Sequence, residues 1–214
     1  MLRVLAVLAF LIVGAATVSA AQDLPYGSKQ SFAVFRNGER IGTHTLSFQN
    51  SGPNVTVATN IDFAVKLMGF TAYRYSHRAQ EMWSGDTFQY VATQTDDNGK
   101  RFTVKAQRTP AGIDVERTGG RETLPPTVLP SSHWNIKQVQ QKVLLNTQDG
   151  SEAKVQISEV GREKIKTMSG WLDATRFRYT GDVVKDQWFD DRGRWVKTIF
   201  KASDGSTIEY ILEE

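Results

Sequence analysis

An all-β protein, built as a strongly curved antiparallel sheet or open barrel, is the fold class the sequence predicts. Three observations carry it. Residues 55–66 and 73–83 alternate with period two; strand-length segments recur at short spacing between Gly, Asn and Asp turns; and Asn37-Gly38 separates two such segments as a hairpin signal.

In order along the chain, residues 22–29 are a polar lead-in containing Pro25 and Gly27. Residues 31–36 read as a strand, and residues 39–49 return as its partner after Asn37-Gly38. Asn50-Ser51-Gly52-Pro53 turns the chain into the longest hairpin. Its first strand places Val55, Val57, Thr59, Ile61, Phe63 and Val65 on one face. Its second places Tyr73, Tyr75, His77, Ala79, Glu81 and Trp83 on one face and Arg74 and Arg78 on the other, so the arginine face is the solvent side. The inward set thus joins an aliphatic row to phenols, an imidazole and a carboxylate. Buried polar groups of this kind require partners, so they either satisfy one another or line a wet cavity.

The tip of that hairpin, Leu67-Met68-Gly69-Phe70, is apolar where turns are usually polar. Two readings stand: the tip packs under a neighbouring loop, or it forms an exposed lip that contacts a cavity mouth, a membrane surface or a partner protein.

Further strands follow at residues 88–95, 101–107 and 113–117, separated by turn clusters. The composition then changes. Residues 124–130 carry Pro125, Pro126 and Pro130, which remove donors and fix φ, so this stretch reads as an extended crossing. Ser131 or Ser132 is positioned to cap a helix over residues 132–145, with Trp134, Ile136, Val139 and Val143 as its apolar stripe. A helix there would cover the curved sheet. Residues 153–160 and 163–168 read as a hairpin about Gly161, residues 171–179 and 183–189 as another about Thr180-Gly181, and residues 194–202 and 207–212 close the chain. The total is about a dozen strands, with no repeat, low-complexity tract or linker to divide residues 22–214 into more than one domain.

Residues 1–21 read as a secretory signal peptide: Arg3 provides the positive start, residues 4–13 the apolar run, and residues 18–21 a small-residue cleavage site. Processing leaves roughly 190 residues, enough for one domain to bury about 70% of its unfolded surface. The chain has no cysteine, which excludes disulfides, thiolate metal sites and cysteine nucleophiles. A protein of the periplasm is expected. The formal charge of +3 becomes +2 without Arg3, with 25 basic residues against 23 acidic ones, and the basic residues are scattered among acidic neighbours. No nucleic-acid-binding stripe follows from that pattern.

Catalytic signatures are missing: there is no nucleophile elbow, phosphate-binding loop or paired-histidine zinc motif. His44, His77 and His133 lie on separate elements at no metal-ligand spacing, so neither a metal site nor a cofactor is expected. His77 and Glu81 share a strand face but stand about 13 Å apart, too far for direct contact. Tyr73 and Tyr75 give that face aromatic bodies with polar ends, suited to an amphipathic ligand. His133-Trp134, where the crossing meets the expected helix, either anchors that helix or forms part of a lid.

The stretches FAVFRNGERIG (residues 32–42), PSSHWN (residues 130–135) and WFDDRGRWV (residues 188–196), together with the aromatic hairpin, resemble a family of exported proteobacterial proteins known as a domain of unknown function. The Trp-Phe-Asp turn and its two following strands are also similar to the closing strands of periplasmic half-barrels that carry lipids or lipoproteins. The resemblance implies a curved antiparallel sheet covered on its concave side and implies no activity. The expected function is non-catalytic binding of an apolar or amphipathic molecule at Ile61, Phe63, Tyr73, Tyr75, His77, Glu81, Trp83, His133 and Trp134. The alternative is a cell-envelope interaction module that uses Leu67, Met68 and Phe70.

Overall fold

Alternation of apolar and polar residues dictates nearly everything in the computed structural model, which describes residues 24–213. The proposed signal peptide lies outside the described residues. Among the described residues, fifteen strands form one sheet. The first eight make a meander: β1 (Lys29–Arg36), β2 (Glu39–Ser51), β3 (Asn54–Leu67), β4 (Phe70–Ser84), β5 (Thr87–Asp97), β6 (Lys100–Thr109), β7 (Gly112–Arg117) and β8 (Gly120–Leu124). The chain then crosses to the opposite edge and returns through β9 (Leu129–Pro130), β10 (Val143–Leu145), β11 (Glu152–Lys166), β12 (Trp171–Gly181), β13 (Lys185–Asp190), β14 (Trp195–Lys201) and β15 (Thr207–Leu212).

The last strand pairs with the first, Phe32 opposite Leu212, so the sheet order runs from β8 down to β1 and then from β15 down to β9. All pairings are antiparallel except β9 with β10. The sheet curves without closing, and its free edges are β8 and β9. Pro130, which has no N–H to give, sits on one of those edges, where the missing donor costs least.

The inward rows of β3 and β4 fall where alternation puts them: Val55, Val57, Thr59 and Ile61 are buried opposite His77, Ala79, Glu81 and Trp83. Aromatic stacking closes the core beneath. Phe32 lies against Trp195 with ring centroids 3.7 Å apart, and Trp134 meets Trp83 edge-on at 5.3 Å. Tyr26, from the polar lead-in, stacks on Phe48; its hydroxyl donates to the Trp134 carbonyl and accepts from the Trp195 N–H at 2.8 Å.

Three expectations are corrected. The covering helix over residues 132–145 is a single 3₁₀ turn, Ile136–Gln140, followed by strand β10. Asn135 caps the turn, where Ser131 or Ser132 was expected to act. The buried Gln138 amide donates to the carbonyls of Ser132, His133 and Asn135, so a side chain takes the acceptors that helical N–H groups would have used, and residues 143–145 pair with β9 and β11 instead. Gly161 is a bulge within one continuous strand; at φ 141° it absorbs an extra residue opposite β12. The third correction is the strand β8, which begins at Gly120 directly after Gly119 and raises the count beyond a dozen.

Candidate functional site

Curvature leaves the concave side to be filled, and the segment between β9 and β11 fills part of it. Thr93 and Thr95 of β5 donate hydroxyls to the carbonyls of Thr147 and Gln148 at 2.8 and 3.0 Å, tying that segment across the inside of the sheet. Above it remains a cavity of about 320 Å³. Its walls come from β2, β3, β4, the two covering loops, the β12–β13 turn, β13, β14 and β15. Exposure falls from Val184 at 68% to His44 at 1% and Glu81 at 0%, which sets mouth and floor.

One wall is a ladder of stacked rings. Phe63 and Tyr75 stand directly opposite across β3 and β4, with centroids 4.9 Å apart and planes within 14°. Tyr73 continues the stack toward the mouth at 6.2 Å, and His77 continues it inward at 6.5 Å. Tyr73 donates to Asp97 at 2.5 Å, and Tyr75 to the side-chain oxygen of Gln148 at 3.3 Å. Burial raises both phenols above the usual tyrosine range, with Asp97 adding to the shift at Tyr73.

The floor is polar and partly satisfied. Glu81 Oε2 accepts from the indoles of Trp83 and Trp134 at 2.9 and 3.2 Å. Burial drives the Glu81 carboxyl upward against the opposing effect of the Trp83, Ser132 and Trp134 donors. His77 shares a hydrogen with Thr95 at 2.8 Å, and burial lowers its pKa to about 4. His44 is more extreme: neither ring nitrogen has a partner, and burial lowers it to about 3. His133 stacks on Trp195 at 4.6 Å and is lowered well below the ordinary value by burial, then by Lys185 and His44. All three imidazoles are therefore neutral at pH 7. Although the three histidines line one cavity, no group of three or more His, Asp or Glu among the described residues is placed to hold a metal.

Seven of the residues singled out in the sequence line this cavity: Ile61, Phe63, Tyr73, Tyr75, His77, Glu81 and His133. Trp83 and Trp134 do not. They lie beneath the floor, where their indoles hold Glu81. The sequence reading missed Lys185, Phe200 and Tyr210, which arrive from the far half of the chain. A lysine at the inward parity of β13, in register with buried Gln187 and Phe189, was the available signal.

Beside the mouth, β2 last pairs with β3 at Phe63 and β5 last pairs with β4 at Tyr75. Residues 64–74 therefore pair as strands only with each other, forming a projecting arm. Its tip is exposed: Leu67 64%, Met68 92% and Phe70 79%. Met68 holds φ 50° in a two-residue turn where Asn or Gly is the unstrained choice. No helix among the described residues is long and apolar enough to cross a membrane.

The family described as Domain of unknown function (DUF6134) matches residues 32–213 of the chain. No curated protein matches it in sequence. Among solved structures, the chain is similar to a beta-barrel-like protein of domain of unknown function DUF1849 from Brucella abortus, with a TM-score of 0.65 at 11% identity over 91% of this chain and 98% of that one. At that identity the likeness concerns the fold alone.

Proposed function

The chain belongs to the family described as Domain of unknown function (DUF6134), and from that premise we propose a function read from the site alone: non-catalytic binding of an apolar or amphipathic molecule on the concave side of the sheet, in a protein exported to the periplasm. The observation that carries this reading is the cavity of about 320 Å³, with a stacked aromatic wall at its mouth and buried polar atoms without partners at its floor. Ligand sites typically combine apolar walls with a few convergent polar groups in roughly 300–1,000 Å³. The cavity sits at the small end of that range, which suits one short acyl chain or a molecule of similar bulk.

Mass spectrometry of an organic extract of the protein, purified without detergent, tests the proposal. A small molecule present at about one per chain supports it. An empty extract from folded protein, together with no binding of added amphiphiles, sinks it.

A second reading rests on the arm: Leu67, Met68 and Phe70 present an exposed apolar tip that has accepted a strained turn residue, and this favours docking to a partner in the cell envelope. Replacing all three with Ser should abolish capture of that partner and leave the melting temperature unchanged; retained capture would eliminate this reading.

A further inference from the structure

Among the described residues, Lys185 is the one cationic side chain of the cavity lining, and it is 93% buried by its 7% exposure. Its ammonium lies 3.1 Å from His133 Nδ1 and 4.5 Å from the centroid of the Tyr179 ring. No carboxylate lies within 4.0 Å of it among the described residues. A buried ammonium served only by an imidazole and a ring face is poorly compensated. The same cavity holds His44, whose ring nitrogens have no partner although the residue is almost fully buried. A neutral imidazole carries one N–H donor. Two buried donors, one charged, thus line a single cavity.

We infer that the ligand is a single-chain amphipath whose head is an acidic oxyanion, a carboxylate or phosphate, held by Lys185 with His44 as a neighbouring donor. The inference rests on the binding reading above and goes further by naming the head group. An oxyanion supplies what Lys185 lacks, and its extra lone pairs accept from a neutral histidine. The remaining ionisable groups around the cavity do not compete for that role. His77 and His133 are held neutral, the phenols of Tyr75, Tyr179 and Tyr210 are raised by burial, and Glu81 is pushed toward its protonated form. The chain of the ligand lies against Ile61, Phe63 and the Tyr75 ring.

Titration calorimetry on the delipidated full chain with decanoate, decyl phosphate, 1-decanol and inorganic phosphate tests this. Decanoate or decyl phosphate should bind about 10- to 100-fold more tightly than decanol, the range for a hydrogen bond to a charged group. Lys185→Met should erase that preference, so that acid and alcohol bind alike. Equal affinity for acid and alcohol in the unsubstituted protein overturns the inference and leaves the binding reading standing. If no amphiphile binds, both fall. Inorganic phosphate binding as tightly as decyl phosphate also overturns it, since the chain would then contribute nothing. A readout that needs no variant is proton uptake on decanoate binding at about pH 8, measured across buffers of different ionisation enthalpy; uptake supports charging of Lys185 by the ligand, and none overturns it.

Discussion

Replacing Lys185 with Met should make the ligand-free protein more stable, a result opposite to that of most buried substitutions. Burial lowers the Lys185 ammonium from 10.5 to about 7. At 1.36 kcal/mol for each unit, that gap corresponds to about 5 kcal/mol of strain on the charged form in the folded state. Methionine keeps most of the side-chain volume, but it forfeits the hydrogen bond to His133 and the contact over the Tyr179 ring, together about 2 kcal/mol. The net expectation is a gain of about 2–3 kcal/mol near pH 7. Because the folded pKa lies below the unfolded one, the unfolded chain binds more protons between about 7 and 10.5, and the unsubstituted protein gains stability as pH rises through that window. Urea unfolding of both proteins at several values from pH 7 to 9.5 measures this directly. The advantage of Lys185→Met should shrink steadily as pH rises. A variant that is less stable at pH 7, or whose advantage does not change with pH, would refute an uncompensated buried cation.

Three further outcomes are expected. Acidification from pH 6.5 should destabilise the fold by about 1.4 kcal/mol per unit for each histidine held neutral, since His44, His77 and His133 all have folded values below 6.5; Glu81, raised above its unfolded 4.5, acts in the opposite direction, so Glu81→Gln should steepen the acid loss, and an unchanged slope in urea titrations would contradict its placement. Phe63→Ala and Tyr75→Ala should each cut ligand retention by about tenfold or more while costing less than about 2 kcal/mol of stability, because both rings are only partly buried; equal damage to folding and retention would count against the aromatic wall as a binding surface. Gly42→Ala should destabilise by about 2 kcal/mol or more, since a Cβ there would overlap the Asp62 carbonyl and Phe63, and a neutral result by chemical denaturation would show that β2 and β3 approach less closely than described.

Much of one wall was legible because period two is a local property. Which residues of β3 and β4 face inward follows from the alternation of Val55–Val65 and Tyr73–Trp83 without knowledge of any partner strand. The opposite wall was hidden for the corresponding reason: Lys185 meets His133 across 52 positions, and only the fold of the segment after β9 across β13 brings them together. Gly161 shows the limit of reading turns. A glycine between two alternating runs looks the same as a hairpin turn or a bulge, and the continuous pairing of β12 along both sides decides between them. The expected helix failed on a single side chain, Gln138, whose buried amide gathers three carbonyls and leaves a 3₁₀ turn. The exposed tip at Leu67, Met68 and Phe70 went against the general tendency of large apolar residues to be buried.

The meeting of β1 with β15 makes the sheet order circular in sequence, interrupted once between β8 and β9. A circular permutant that joins the end of β15 through a linker to the lead-in before β1, keeping Tyr26 in place, and opens the chain at Pro125, would string the fifteen strands in uninterrupted spatial order from one edge to the other. The most distant pairing in the native chain would become a loop closure between neighbours, and contact order would fall. Refolding should therefore accelerate in the permutant with little change in stability. The edge-to-edge crossing at residues 125–128 would then be dispensable for connectivity, leaving the rest of the segment between β9 and β11 to be judged by what it does inside the curve.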